Sequence, residues 1–314
     1  MSITIGVDIG GSHISSAAVD SDSFIIIPGT YFSGVVDSKA SKDVIIEKWA
    51  EIINQTIQAI QKAFGLSESD SIGIAFSMPG PFQYETGIAM FEGNDKYESL
   101  YNVSVSEELL KYLSTKNVTF RFLNDASCFG VGGALKQESE LGDKRVIAIT
   151  LGTGFGAAFL DNKLPITQGS NVPHNGCLWD KPFKDSIADN YFSTRWFLNQ
   201  YENSTGETLT DGVKEIASIE NYSTAKIFDD FANNLTEFLV PFILDFDANL
   251  LILGGNIAKS NRLFLYKIQQ NLKNKNIDLS ISIIENTEQM SILGSSYLYN
   301  EVFWDRIKAE LPYF

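Results

Sequence analysis

The stretch Ile3-Thr4-Ile5-Gly6-Val7-Asp8-Ile9-Gly10-Gly11-Ser12 decides how the rest of the chain is read. β-Forming residues run up to a polar Asp8, and adjacent glycines then break the strand. Ile14 to Val19 supplies a short return strand rich in small residues, so the segment reads as a hairpin, strand-turn-strand. Glycines in such a turn let backbone N–H groups approach a phosphate. The pattern recurs where Val146 to Leu151 empties into Gly152-Thr153-Gly154-Phe155-Gly156, and where Asn249 to Leu253 meets Gly254-Gly255-Asn256. One glycine turn would be an ordinary β-turn. Three of them, each closing a strand, point to a nucleotide held between two lobes.

Context separates this pattern from other phosphate-binding loops. A P-loop needs a lysine and a Ser or Thr closing a longer glycine loop at a helix start, whereas Gly10-Gly11-Ser12 has no such lysine and leads into a strand. A dinucleotide fingerprint needs glycines that open a helix, but Gly152, Gly154 and Gly156 precede the apolar Ala157-Ala158-Phe159-Leu160. NAD binding is therefore not expected.

Around the hairpins, strands alternate with helices, which argues for an α/β architecture. Asp43 to Phe64 places Ile45, Trp49, Ile52, Ile53, Ile57, Ile60 and Phe64 at helical spacing, with Gly65 as the stop. Ile72 to Ser77 reads as a buried strand running into Pro79-Gly80-Pro81, and Ser104 with Glu107 forms a capping box before Leu109. Val118 to Leu123 predicts another strand, followed by a helix over Ala126 to Lys136. Asn124-Asp125 stands at that junction, where α/β sheets bind ligands. The tract from Lys163 to Asp185 is irregular, and such segments often carry binding groups. Helical patterns over Ile227 to Leu244, Asn261 to Asn271 and Ser291 to Glu310 flank strands at Asn249 to Leu253 and Leu279 to Glu285. The expected division is an N-terminal lobe over 1–117, joined by a returning helix over 296–314, and a C-terminal lobe over 118–295. No internal repeat stands out in the sequence.

Composition narrows the partners. At 314 residues, 44% hydrophobic and 20% charged, the chain is long enough for two cores. A net charge of -15 leaves few cations to displace counterions from a nucleic acid, so none is expected as partner. A polyanion such as ATP would have to be neutralised locally, by aimed amides and a divalent cation. Cys128 and Cys177 form no disulfide framework, no basic leader precedes the first strand, and no stretch is apolar enough to span a membrane. A cytoplasmic protein with reduced thiols is the expectation.

Asp8-Ile9-Gly10-Gly11-Ser12, Ser77-Met78-Pro79-Gly80-Pro81, Leu123-Asn124-Asp125-Ala126, Leu151-Gly152-Thr153-Gly154-Phe155-Gly156 and Leu253-Gly254-Gly255 occur in the order found in glucokinase-like ROK-family sugar kinases. The resemblance covers nearly the whole chain. It implies an α/β, two-lobed actin-like ATPase (ribonuclease H-like) fold with a cleft between the lobes, a homodimer, and ATP with Mg²⁺ beside a hexose or N-acetylhexosamine. By that resemblance Asp8, Gly10, Gly11 and Ser12 form the first phosphate loop and Gly152, Thr153 and Gly154 the second, while Gly254 and Gly255 approach the adenosine. Asp125 would be the catalytic base, with Gly80 and Asn124 on the sugar side. Mg²⁺ would be held mainly by the ATP phosphates, with Asp8 acting through water.

The chain also departs from the family. Many members carry a Cys-rich zinc motif after a Glu-x-Gly-His segment, where this chain has Val172-Pro173-His174-Asn175-Gly176-Cys177. His13, His174, Cys128 and Cys177 lack structural-zinc spacing, so no structural zinc is expected. His174 falls where the family has a sugar-contacting residue, or else is a solvated loop histidine. Asp189 aligns with a sugar-touching Glu, or is a helix-start carboxylate. Asn94 contacts a sugar hydroxyl or makes an Asx turn. Two alternatives to a kinase follow: a sugar-binding member with impaired catalysis, and a ROK-type regulator. The regulators resemble this chain only after an added N-terminal helix-turn-helix, whereas here the first hairpin starts at Ile3.

Overall fold

The opening hairpin forms with β1 (Ile3–Ile9) antiparallel to β2 (His13–Asp20), in register from Ile3 opposite Asp20 to Ile9 opposite Ile14. Six consecutive residues of each strand are buried, Thr4 to Ile9 and Ile14 to Val19, which explains the near-continuous apolar run instead of strict alternation. This computed structural model describes residues 2–67, 70–93, 96–137, 144–219 and 221–312. The chain divides into two units, one running to Lys136 and resuming at Glu288, the other spanning Gln137–Thr287.

In the first unit the hairpin is followed by β3 (Ile25–Ile26), β4 (Phe32–Val35), α1 (Lys42–Phe64) and β5 (Ile72–Met78). A small sheet of β6 (Phe82–Gln83), β7 (Ile88–Ala89) and β8 (Val103–Ser104) comes next, then α2 (Val105–Tyr112), β9 (Val118–Asn124) and α3 (Asp125–Lys136). The main sheet has the order β3-β2-β1-β5-β9, with β4 on β2, and β1, β5 and β9 run parallel. The apolar stripe of α1 puts Ile45, Trp49, Ile52, Ile53, Ile57 and Ile60 into the core, and Gly65 ends it at φ 67, where its N–H donates to the Gln61 carbonyl. Ser104 caps α2, its hydroxyl accepting the Glu107 N–H at 3.4 Å. Because β9 pairs with β5 from Ile72 opposite Val118 to Met78 opposite Asn124, β9 and α3 belong to this unit, beyond position 117.

The second unit carries β10 (Arg145–Leu151), β11 (Phe155–Asp161), β12 (Leu164–Pro165), β13 (Pro182–Phe183), β14 (Ser186–Ile187), α4 (Ala188–Tyr191), α5 (Thr194–Thr205), α6 (Val213–Ser218), α7 (Tyr222–Phe246), β15 (Leu250–Gly254), α8 (Leu265–Asn274) and β16 (Ser280–Ile283). Its sheet has the order β12-β11-β10-β15-β16. An antiparallel hairpin, β10 with β11, is continued by strands parallel to its first arm, which repeats the plan of β2-β1-β5-β9. The repeat is one of topology, invisible as sequence similarity. Phe155, Phe183, Phe192, Phe231 and Phe238 form the aromatic part of this unit's core.

The pattern over Ser291 to Glu310 resolves into α9 (Thr287–Ser296) and α10 (Glu301–Ile307). They are separated at Asn300, whose Oδ1 accepts the Phe303 N–H at 3.0 Å and starts the second helix. α9 crosses α3 at glycines: a methyl on Gly294 would stand 1.8 Å from the Cys128 carbonyl oxygen, and one on Gly132 2.0 Å from that of Met290. Among the described residues no helix is long and apolar enough to cross a membrane.

Candidate functional site

The carboxyl ends of the parallel strands β1, β5 and β9 bring Asp8, Ser77 and Asn124-Asp125 to one edge of the first sheet. Asp8 lies opposite Ser77, and Met78 opposite Asn124. This is the edge at which open α/β sheets bind ligands. Asp8 is 8% exposed, and its Oδ1 accepts the Ser77 hydroxyl at 2.7 Å. Burial raises its pKa to about 7, the Ser77 hydrogen bond opposes the rise, and the charge of Asp125 adds to it. Its second carboxylate oxygen has no hydrogen-bond partner among the described residues.

Asp125 opens α3 and is half-buried, its Oδ1 accepting the Ala126 N–H at 2.9 Å. Asn124 caps the helix through the Ser127 N–H at 3.3 Å, and its side-chain amide donates to the Tyr84 hydroxyl at 3.2 Å. That hydroxyl in turn donates to the Met78 carbonyl at 3.1 Å, so β5, the small-sheet region and the start of α3 are tied together. Burial raises the Asp125 pKa. The Ala126 and Asp125 N–H groups, the Asn124 side chain and the charge of Lys96 hold it down. Gly80 follows directly on the same strand end. Asn94 lies outside the described residues.

The Gly10-Gly11 turn has basic side chains on both glycines. A methyl on Gly10 would meet the His13 ring at 2.3 Å, and one on Gly11 would meet Lys96 Nζ at 2.8 Å. His13 is paired with Glu288, 3.2 Å from Nε2 to Oε1, and the other Glu288 oxygen accepts the hydroxyls of Ser15 at 3.0 Å and Tyr31 at 2.9 Å. These contacts, His13 foremost, pull the Glu288 pKa down to about 2, while the Glu288 hydrogen bond raises that of His13.

In the second unit, Gly152, Thr153 and Gly154 form the turn between β10 and β11. Asp189, at the start of α4, braces it: Oδ1 accepts the Phe155 N–H at 2.8 Å and Oδ2 pairs with Arg195 at 2.5 Å. Both oxygens of this expected sugar contact are thus engaged with the glycine loop and its flank. Thr194 tightens the same loop, with its N–H and hydroxyl both donating to the Gly152 carbonyl. Gly254 and Gly255 lie directly against it. Gly255 has φ 91, and a methyl there would stand 2.2 Å from the Leu151 carbonyl oxygen; its N–H donates to Thr287 Oγ1 at 2.7 Å. The second and third glycine turns are therefore one packed assembly. His174 is exposed on a short 3₁₀ turn (His174–Gly176), and Cys177 and Cys128 form no disulfide among the described residues.

Among the described residues no group of three or more His, Cys, Asp and Glu is arranged to hold a metal ion. Mg²⁺ bound mainly through phosphates needs only one or two carboxylates. Asp8 fits that demand, because a buried carboxyl with an unpartnered oxygen and a neighbouring carboxylate gains from a hard cation. The sequence did not single out Ser77, Lys96, Glu288 or the pairing of His13. Ser77 belongs to the Ser77-Met78-Pro79-Gly80-Pro81 motif, but nothing local marks Lys96 or Glu288, which reach the hairpin from 85 and 277 residues away.

Paired glycine hairpins at the ends of two sheets of one topology, with carboxylates at the strand ends, define an actin-like ATPase (ribonuclease H-like) α/β fold. Solved structures share it. A ROK family glucokinase from Streptomyces griseus, in complex with glucose and AMPPNP, matches with a TM-score of 0.69 at 18% identity, over 95% of this chain and 99% of that one. A ROK family transcriptional regulator, a homologue of the E. coli MLC protein, matches with a TM-score of 0.70 at 13% identity, over 98% of this chain and 81% of that one. The chain belongs to the ROK family, whose model matches residues 4–301. An N-acetyl-D-glucosamine kinase of Photobacterium profundum is 28% identical over 167 residues, 45% of this chain. The match spans about half (52%) of that curated relative's length.

Proposed function

We propose that this chain is an ATP-dependent sugar kinase, transferring the γ-phosphoryl group of ATP to a hydroxyl of a hexose or N-acetylhexosamine, with Asp125 as general base. The observation that carries the reading is Asp125 itself. It stands at the carboxyl end of β9, close enough for its charge to act on Asp8 at the end of β1, and is oriented by the Ala126 N–H and the Asn124 cap. A sugar hydroxyl is a poor nucleophile near neutral pH. A carboxylate within reach orients it and takes its proton as the oxygen attacks the γ-phosphorus and the bond to the β-phosphate oxygen breaks, releasing ADP. The raised pKa of Asp125 brings it closer to working pH, which favours proton acceptance in the transition state.

The glycine turns supply the other half of the chemistry. We assign the Gly11 and Ser12 amides of the first turn and the Thr153 and Gly154 amides of the second to phosphate oxygens, and Gly254-Gly255 to the adenosine. The Gly10 and Gly152 N–H groups instead close their own turns, donating to the His13 carbonyl at 2.9 Å and the Gly154 carbonyl at 3.1 Å. Mg²⁺ when bound neutralises phosphate charge, with Asp8 as the residue that would hold it. On the sugar side we assign Asn124 and Gly80. Kinase names among the relatives, one for N-acetyl-D-glucosamine and one crystallised with glucose and AMPPNP, agree with this substrate class.

A second reading, sugar binding without turnover, is favoured by one observation: Asp189, which the family resemblance put at the sugar, has both oxygens occupied. ADP release with Mg-ATP across a panel of hexoses and N-acetylhexosamines separates the two. Sugar-dependent release supports the kinase; sugar binding by calorimetry with no release from any panel member sinks it.

A further inference from the structure

We propose that Lys96 is a phosphoryl-binding residue, laid across the first glycine turn so that its ammonium meets the terminal phosphate of the nucleoside triphosphate beside Asp125. The inference rests on the kinase reading above and names a residue that reading does not use. A methyl on Gly11 would stand 2.8 Å from Lys96 Nζ, 3.2 Å from Cε and 3.3 Å from Cδ, so the distal side chain lies along the glycine, over the turn. The segment is held there by its neighbour. Tyr97 is 1% exposed, its hydroxyl donates to the Gly10 carbonyl at 2.7 Å, and its N–H donates to the Ser38 carbonyl at 2.7 Å. The Lys96 charge reaches Asp125, where it favours the ionised carboxylate.

The charge is also unspent. His13, the other basic group on this turn, is paired with Glu288, whereas among the described residues no carboxylate lies within ion-pair distance of Lys96. A half-buried lysine with no carboxylate partner among the described residues, set over a glycine turn in a chain of net charge -15, is placed to receive an anion. A γ-phosphoryl group gathers negative charge on its equatorial oxygens during transfer, and an aimed cation stabilises that charge most when water is excluded. Beside a general base the same ammonium also opposes the rise that burial gives the Asp125 pKa.

The test compares Lys96→Met and Lys96→Arg with the wild-type chain, reading binding and turnover separately. With Lys96→Met, affinity for a non-hydrolysable ATP analogue should fall about 10-fold and kcat about 10² to 10³-fold. ADP affinity and sugar affinity should hold within about twofold, and Lys96→Arg should recover part of kcat. Equal loss of ADP and triphosphate affinity, or unchanged kcat in a Lys96→Met protein of wild-type melting temperature, overturns the assignment. The binding comparison needs no turnover. A wild-type chain that releases no ADP with any sugar would therefore fail the kinase reading, while triphosphate-selective loss in Lys96→Met would still support the anion site.

Discussion

The two strand-turn-strand units, β1-β2 and β10-β11, share a topology and differ in what surrounds the glycines. The first turn is ringed by ionisable groups: Asp8 beneath it, His13 and Lys96 over its glycines, Glu288 behind His13 and Asp125 at the neighbouring strand end. The second is ringed by backbone and braces. Leu151 lies against Gly255, Asp189 holds the Phe155 N–H, and Thr194 holds the Gly152 carbonyl. One scaffold thus gathers ionisable groups around the first turn and packed backbone with side-chain braces around the second. Substitutions at the first should change chemistry and pH response, while those at the second should change stability.

The largest effect expected is that of Asp125→Asn. Asn keeps the acceptor for the Ala126 N–H and loses the base, so kcat should drop by about 10² to 10⁴ with sugar affinity retained. Steady-state ADP release and sugar calorimetry measure both, and unchanged kcat would remove Asp125 from its role. Asp8→Asn probes the same turn through stability. A carboxyl whose pKa rises from 3.8 to about 7 on folding is favoured in its neutral form, so its cost is absent below pH 3.8, grows between these values and is complete above 7. Asn mimics the neutral acid toward the Ser77 hydroxyl. Without nucleotide, the variant should gain up to about 4 kcal/mol over wild type at pH 8 and nothing at pH 3.8. Urea unfolding at both pH values would show this, and a gain independent of pH would refute the burial argument.

At the second turn, Gly255→Ala forces a methyl against the Leu151 carbonyl at φ 91, and should cost about 3 kcal/mol or more because backbone on both sides must move. Gly10→Ala first meets the His13 side-chain ring and not fixed backbone, and should cost about 1 kcal/mol. Equal losses in thermal unfolding would erase the distinction between a braced and a charged turn.

What the sequence disclosed follows from locality. Both hairpins, the third turn, α1 with its Gly65 stop and the Asn124-Asp125 junction are written in contiguous residues, and all form where expected. α5 and α6 are not legible in the sequence, since the run from Thr194 onward is polar on its exposed side and its apolar anchors Trp196 and Phe197 pack on distant α7 aromatics. The site's supporting residues were hidden for the same reason. Glu288 reaches His13 and Lys96 reaches Gly11 through tertiary packing, and Asp189 reads as a sugar contact or a helix-start carboxylate until the fold puts it on the Phe155 amide. Parallel pairing of β9 with β5 set the unit boundary, and strand order is not encoded in either strand alone.

The smallest effect expected is also the sharpest probe of how separate the turns are. Consecutive residues at the start of α9 serve different turns: Thr287 accepts the Gly255 N–H, and Glu288 pairs with His13. The elevated His13 pKa stabilises the fold below pH 6.5, and the benefit fades as pH rises through its folded value. The depressed Glu288 pKa stabilises it above pH 4.5, and that benefit is lost as pH falls toward 2. The pair is therefore complete from pH 4.5 to 6.5. With side chains 38% and 44% exposed, solvent screening should keep the loss in Glu288→Gln below about 1 kcal/mol. Titration of His13 by NMR should show its pKa falling in the variant, while hydrogen exchange at the Gly255 amide stays unchanged. Faster exchange there would mean that the first turn of α9 couples the charged and braced hairpins, and that neither can be altered alone.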